Sequence, residues 1–464
     1  MFDNKKQISI LAIVAVTSFM GTFLISSVNI ALPSIEKSFG LGAVSLSWVV
    51  TSFLLATAMF LLPAGRWGDL TGVRKLFKTG IIIFTLASLL CSFANSGLQL
   101  ILARYIQGIG AALTSTTGPA ILVSAFLPQH RGRVLGISVS AVYTGLAFGP
   151  FAGGLLTQYL GWRSIFIAAS LLGVVTIIIA LLFLGKDISQ PGTKISTNKL
   201  DLKGTAFYMP GLVMLVYGSS KIPSAGGWLL MAGGISALVI FWFLESRSSM
   251  PVINTKLFTR NRLFAYSNLA ALINYSATFA IVFLLSLYLQ KIKGLPPRDA
   301  GIILVAQPVI MAIFSPVAGR LSDRFQPRYL TTSGMILCTT GLAAFAFLNS
   351  STPLFMIVLL LIWVGFGFAL FSSPNMNTIM STVNKNQYGI ASGTAGTMRV
   401  IGQITSMTIA TLFFAGILGS SSVETAPDHL FLKVLKWGFT SFTIISATGI
   451  YFSYYRGKIN RELT

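Results

Sequence analysis

The sequence predicts an all-α membrane protein of two six-helix bundles plus two inserted helices, fourteen transmembrane helices in one chain. Three observations carry this. Of 464 residues, 54% are hydrophobic and only 9% charged, whereas a soluble domain carries about 25% charged residues; mean hydropathy is +0.79. Apolar runs follow one another along the whole chain, most near the roughly 20 residues that cross a bilayer as a helix. Finally, the stretch GRWGDLTGVR at 65–74 has a relative, GRLSDRFQPR, at 319–328. Each pairs Gly-Arg with an aspartate four positions after the glycine (Asp69, Asp323) and ends in arginine (Arg74, Arg328). Such an internal repeat is how many transporters are built.

In order, the expected spans lie at roughly 8–31, 46–65, 76–95, 98–126, 134–157, 164–184, 204–221, 227–246, 263–290, 299–318, 331–348, 354–381, 389–417 and 437–455. Only helices fit these lengths, because lipid-exposed backbone must satisfy its own hydrogen bonds. The first run begins just after Lys5 and Lys6. It is too long for a signal-peptide core and reads as an uncleaved span. The repeated stretches follow spans 2 and 10, so eight spans separate them where a plain six-plus-six protein would have six. Spans 7 and 8 therefore read as an insertion. The expected organisation is a bundle at 1–184, an inserted pair with flanking loops at 185–262, and a second bundle at 263–464.

Net charge is +22, but the basic residues gather in short loops and form no single stripe, so no nucleic-acid partner is implied. With the N-terminus inside, 23 of the 33 Lys and Arg fall in inner segments, 8 outside, and two, Arg104 and Arg399, within spans. That bias puts both termini in the cytoplasm and favours an even number of spans. Cys91 and Cys338 lie in apolar runs, and His130 and His429 have no neighbours at metal-ligand spacing. No metal site, disulfide or cofactor is expected. No phosphate-binding glycine loop is present, so ATP does not drive the chain directly.

The repeated stretches are the first functional candidates. Gly65 opens the first stretch, and Gly68 and Gly72 allow a tight reversal between spans 2 and 3. Asp69 can cap a helix start or pair with a base across the boundary between the halves. Alone it would read as a solvated turn. Repetition at Gly319 and Asp323, with Arg74 and Arg328 beyond, favours a conformational gate. Span 5 carries Ala141, Gly145, Gly149 and Gly153, a stripe of small residues every four positions where another helix can approach closely. Gly154 adjoins it, and Pro150 removes one helical hydrogen bond. Plain packing and a flexible transport element are not exclusive readings here. Span 13 has a weaker counterpart in Gly402, Ser406 and Ala410.

A mid-span arginine usually faces a bundle interior or cavity. Arg104, followed by Gln107, reads as functional; for Arg399 a clamp to backbone carbonyls and a binding role both stand. Polar and aromatic residues on early helices of both halves suggest a mixed cavity: Asn29 in span 1, Trp48 and Thr51 in span 2, Asn268, Asn274 and Tyr275 in span 9. Each alone is an ordinary helix-to-helix hydrogen bond; together with Gln107 and Arg399 they form the expected substrate cavity.

These motifs resemble the major facilitator superfamily. Residues 65–74 are similar to its signature after the second span, 104–110 (RYIQGIG) to its fourth-span motif, and 145–154 to its fifth-span motif typical of exporting antiporters. Residues 29–33 (NIALP), 48–52 (WVVTS), 200–204 (LDLKG), 251–258 and 399–402 (RVIG) resemble the fourteen-span drug:proton antiporters, so the match covers nearly the whole chain. The resemblance implies two bundles rocking about a central cavity, with Asp69 and Arg74 as gating contacts, Arg104 in proton coupling, and Gly149 and Pro150 as a flexible element. Two positions depart from the pattern. Leu24 stands where family members usually have an aspartate, and Leu70 where a base follows the signature Asp.

By this map none of the eleven carboxylates lies mid-membrane, which should disfavour organic cations. Proton transfer through Asp69, Glu36 or solvent stays open. The expected function is not enzymatic. It is proton-coupled export of amphipathic small molecules, neutral or anionic, by alternating access in a bacterial inner membrane. The alternatives are a facilitator or importer of a metabolite anion and, further off, a membrane-embedded lipid-handling protein. The partners are a small-molecule substrate, protons and the bilayer, and a monomer is sufficient.

Overall fold

The computed structural model describes residues 5–185, 202–247, 255–383, 388–419 and 421–458. The first bundle comprises α1 (Lys5–Phe39), α2 (Ala43–Thr71), α3 (Val73–Ser92), α4 (Gly97–Ala125), α5 (Pro128–Leu160) and α6 (Arg163–Phe183). Then come α7 (Leu202–Ser219) and α8 (Ala225–Arg247), followed by the short α9 (Thr255–Arg260). The second bundle comprises α10 (Arg262–Thr278), α11 (Ala280–Lys291), α12 (Pro297–Leu304), α13 (Ala306–Arg324), α14 (Pro327–Phe345), α15 (Leu354–Ser381), α16 (Tyr388–Phe413) and α17 (Asp428–Tyr455). The described residues contain no strand.

Local chemistry sets the helix ends. The Ser96 hydroxyl accepts from the Gln99 amide at 3.3 Å and caps α4; the Asn261 side chain accepts from the Phe264 amide at 3.0 Å and caps α10. Prolines open α5, α12 and α14, where their missing N–H costs nothing. Gly72, at φ 99°, turns the chain between α2 and α3, and its N–H reaches the Gly68 carbonyl at 3.0 Å; side chains rarely adopt that φ.

Eleven described segments are long and apolar enough to cross a membrane. At the places of the other three expected spans stand α4, α7 and α14, of 29, 18 and 19 residues. Arg104, Gln107 and a run of Ser and Thr dilute the hydropathy of α4. Expected ends were too short in several cases: α1 runs on to Phe39 and α5 spans Pro128–Leu160. Hydropathy sees only the apolar stretch of a helix that continues past it. The structure also divides two expected continuous spans, at Phe279 between α10 and α11 and at Val305 between α12 and α13. At the first break the Ser406 hydroxyl of α16 accepts from the Ala280 amide at 3.0 Å, a bond made across helices in place of one within the helix. A π-helical turn, Phe414–Leu418, ends the thirteenth expected span.

Packing in the two bundles repeats. In the first, α1 lies on α5, α2 and α3 lie on α4, and α3 lies on α6; in the second, α10 lies on α16, α13 and α14 lie on α15, and α14 lies on α17. The bundles meet along two seams, α5 against α12 and α13, and α2 against α16, and also where α1 meets α11. Of the helices between the bundles, α7 packs on both α2 and α16, so the pair covers the second seam. Tyr208 of α7 donates to the Ala58 carbonyl at 2.9 Å, and Tyr217 lies against Trp48 with centroids 6.2 Å apart.

Candidate functional site

The small-residue stripe of α5 is pressed against α1. A Cβ on Gly149 would stand 2.6 Å from Ser26 Cβ and 3.0 Å from the Phe23 carbonyl oxygen; one on Gly153 would stand 2.7 Å from Ser27 Cβ. Hydroxyls of α1 donate into α5 along the same line: Thr22 to Val142 O at 2.9 Å, Ser26 to Leu146 O at 3.1 Å and Ser27 to Gly149 O at 2.9 Å. Pro150 has no N–H for the Leu146 carbonyl one turn back, and Ser26 supplies the missing donor. Gly154 and Pro150 lie against Pro297 and Gly301 of α12. This stretch of α5 therefore joins its own bundle to the other one.

Direct bonds between the bundles gather at one end of the molecule. There Ser286 donates to Asn29 O at 2.7 Å, Gln290 to Ile30 O at 3.0 Å, Thr411 to Ser47 Oγ at 2.9 Å, and the Ala43 amide to Ser421 O at 2.9 Å. The Glu36 carboxylate, 3% exposed, accepts from the Glu424 amide at 3.1 Å. Lys291 donates to the carbonyls of Glu424 and Ala426 at 3.0 and 2.9 Å and pairs with Asp428 at 3.3 Å. Midway along, Tyr143 of α5 and Ser372 of α15 share a hydroxyl bond of 2.8 Å.

Of the expected cavity residues, the structure brings Tyr275 and Arg399 together. Tyr275 of α10 packs against Gly402 of α16, three residues on from Arg399, and Ser372 bonds Tyr143 nearby; all four side chains are half-buried. The others lie elsewhere. Gln107 is fully buried beside Arg104, Trp48 faces α7, and Asn268 donates to Phe264 O at 2.9 Å in its own helix. Asn29, Thr51 and Asn274 are buried among packed helices.

Arg104 is fully buried inside the first bundle. Its Nε donates to Val49 O at 3.1 Å, a terminal nitrogen donates to Gln107 Oε1, and its guanidinium sits 4.4 Å from the Phe53 ring centroid. Gln107 donates onward to Ser88 Oγ at 2.6 Å. The network ties α2, α3 and α4 together. Arg104→Lys keeps the charge but loses the planar fork and much of the ring contact. The purified protein is expected to lose about 2 kcal/mol of stability. A thermal melt checks this, and an unchanged midpoint would remove these contacts as a source of stability.

The gate candidates divide. Gly65 packs on Thr116 of α4 and Gly319 on Ser373 of α15, equivalent places in the two bundles. Arg74 approaches Gly185 beyond α6, where Lys78 donates to the Gly185 carbonyl at 3.5 Å. Arg328 stacks 4.5 Å from the Tyr329 ring centroid and 5.7 Å from that of Tyr454 in α17. In both halves the closing arginine thus meets the last helix of its own bundle. The side chains of Asp69 and Asp323 lie outside the described residues.

Sequence reasoning missed Tyr143, Ser372 and Arg456. A signal for Tyr143 existed: it precedes Gly145 by two residues, about 200° round the helix, so it points away from the α1-facing stripe. Arg456, counted with the inner loop bases, is 1% exposed. It donates to Asn375 Oδ1 at 2.7 Å, Ser267 Oγ at 3.2 Å and Pro327 O at 3.2 Å, gathering α10, α14 and α15 at the end of α17.

The profile of the Major Facilitator Superfamily matches residues 11–407. Riboflavin transporter RibZ of Clostridioides difficile (strain 630) is 31% identical over 90% of this chain and 89% of its own length. Multidrug resistance protein Stp of Mycobacterium tuberculosis (strain ATCC 25618 / H37Rv) is 30% identical over 92% of this chain and 79% of its own. The crystal structure of a D-xylose–proton symporter superposes with a TM-score of 0.68 over 97% of each chain at 12% identity, a likeness of fold. Repeated bundles, two seams and these matches lead to one conclusion: the chain belongs to the Major Facilitator Superfamily and is a multi-pass membrane protein of the secondary-transporter kind.

Proposed function

We propose that the protein is a proton-coupled exporter of amphipathic small molecules, of the fourteen-span drug:proton antiporter type. It works by alternating access from a bacterial inner membrane, with both termini cytoplasmic. One observation carries the reading: direct hydrogen bonds between the bundles gather at one end of the molecule, with the Tyr143–Ser372 hydroxyl bond midway along. Loop charge assigns the bonded end to the outside, so this conformation faces the cytoplasm. The eleven strongly apolar segments, with α4, α7 and α14 at the places of the other three expected spans, support a count of fourteen. The packing supports a division at 1–184, 185–262 and 263–464, with the middle segment as the insertion. A relative named for multidrug resistance supports export.

Leu24 leaves the usual acid position of span 1 empty of charge, which turns the coupling to Asp69, Glu36, Arg104 or a solvent-linked route. Inside-out vesicles with an acidified lumen test the reading, using neutral and anionic fluorescent solutes with riboflavin among them. Accumulation driven by the pH gradient is expected. Accumulation that survives collapse of the gradient would remove the coupling. Asp69→Asn is expected to cut the rate at least about tenfold, a loss of 1.4 kcal/mol or more, with the protein still in the membrane. A wild-type rate would remove the gate.

A second reading is uptake or facilitated passage of a metabolite anion. The Arg399 cluster favours an anion, and the relative named a riboflavin transporter favours a metabolite over a drug. The direction of accumulation in intact cells separates the two.

A further inference from the structure

The cluster where α5, α10, α15 and α16 meet has a chemistry that general drug export does not specify. Arg399 brings a full positive charge to mid-bundle, and among the described residues no carboxylate pairs with it. Beside it Tyr275 packs against Gly402, three residues on from Arg399, and Ser372 and Tyr143 share their 2.8 Å bond across the boundary between the bundles. The Phe368 ring meets Tyr275 edge to face at 5.4 Å. A half-buried cation with hydroxyl donors and aromatic walls but no acid repels cationic solutes. It also leaves a guanidinium fork to be satisfied by a ligand. The hydroxyls belong to both bundles, so a ligand that takes them over replaces the Tyr143–Ser372 bond with a bridge of its own.

We propose that Arg399, Tyr275, Ser372 and Tyr143 form a recognition subsite for aromatic monoanions. Arg399 takes the carboxylate, the hydroxyls bond its remaining lone pairs, and the rings of Tyr275 and Phe368 border the flat body of the solute. This assignment rests on the transporter reading above but not on the direction of transport or its coupling.

The test is equilibrium binding to the purified full chain with three matched probes: 2-naphthoate, 2-naphthamide and 2-naphthylmethylammonium. The wild type is expected to bind the carboxylate at least about tenfold more tightly than the amide, and the ammonium weakest. Arg399→Gln is expected to bring carboxylate and amide within about twofold of each other while the amide affinity holds. Arg399→Lys should restore part of the preference. Tyr275→Phe should weaken the carboxylate by about threefold to fivefold, the loss of one hydrogen bond. Equal binding of ammonium and carboxylate by the wild type overturns the proposal, as does absence of carboxylate binding or an unchanged preference in Arg399→Gln. Should Arg399→Gln fail to fold, the wild-type ranking and Arg399→Lys still decide. Charge preference with no gradient-driven flux would leave the subsite standing and remove the exporter; gradient-driven export of cations alone would do the reverse.

Discussion

Replacing Gly149 with valine is expected to abolish transport while leaving the chain inserted in the membrane. The added Cβ alone would stand 2.6 Å from Ser26 Cβ and 3.0 Å from the Phe23 carbonyl oxygen, and the two further methyls have nowhere to go. Forcing α1 from α5 costs about 1–3 kcal/mol in overpacking. It also strains the bonds from Thr22, Ser26 and Ser27, each worth about 0.6 kcal/mol on average between membrane helices. The total, about 3–5 kcal/mol, is comparable to the few kcal/mol that separate the conformations of a two-state protein. Gly149→Ala should fall between, with a rate lowered but measurable. Transport assayed at matched expression decides, and a wild-type rate for the valine variant would mean that α1 and α5 need not stay in contact during the cycle.

The second large effect is expected at Glu36. Its carboxylate, almost wholly buried, accepts from the Glu424 amide in the turn before α17. Lys291 holds the same turn through two carbonyls and Asp428. A hydrogen bond to a charged group contributes about 1.5–3 kcal/mol. Glu36→Ala should therefore shift the equilibrium toward opening at this end by roughly ten- to a hundred-fold. Glu36→Gln keeps an acceptor and should shift it less. Acidification acts in the same direction, because a protonated carboxyl is the weaker acceptor. The charged groups that modulate it are Lys291, Glu424 and Asp428. Spin labels on Ser38→Cys and Thr425→Cys would read the distance. An unchanged distribution in Glu36→Ala would exclude the carboxylate as a latch.

Much of the architecture was legible because bilayer thickness imposes itself on composition. Runs of apolar residues marked the spans, and the two hinge stretches gave the repeat that the packing of α1 on α5 and α10 on α16 also displays. The stripe at Gly145, Gly149 and Gly153 announced a close neighbour, though not which helix. What escaped depended on distant partners. Arg456 looks like any base beyond a last span until α10, α14 and α15 are seen to converge on it. Glu36 reads as a loop acid because the turn that buries it lies 388 residues away. Tyr143 and Ser372, 229 residues apart, are common residue types with no spacing to betray their bond. Arg104 was expected to be functional on charge alone; its partners Val49, Gln107 and Phe53 all lie within one bundle.

Because α7 leans on α2 and α16, the molecule has lost the two-sidedness that its repeat would otherwise confer. One flank is stoppered by Tyr208 and Tyr217, while Trp228, Trp242 and Phe243 of α8 turn outward to the acyl chains. Among the described residues, no helix from outside the bundles packs on the seam of α5 with α12 and α13. The inserted helices thus make the two seams unequal: one is shielded by aromatic side chains from outside the bundles, and the other is bounded by the bundles' own helices.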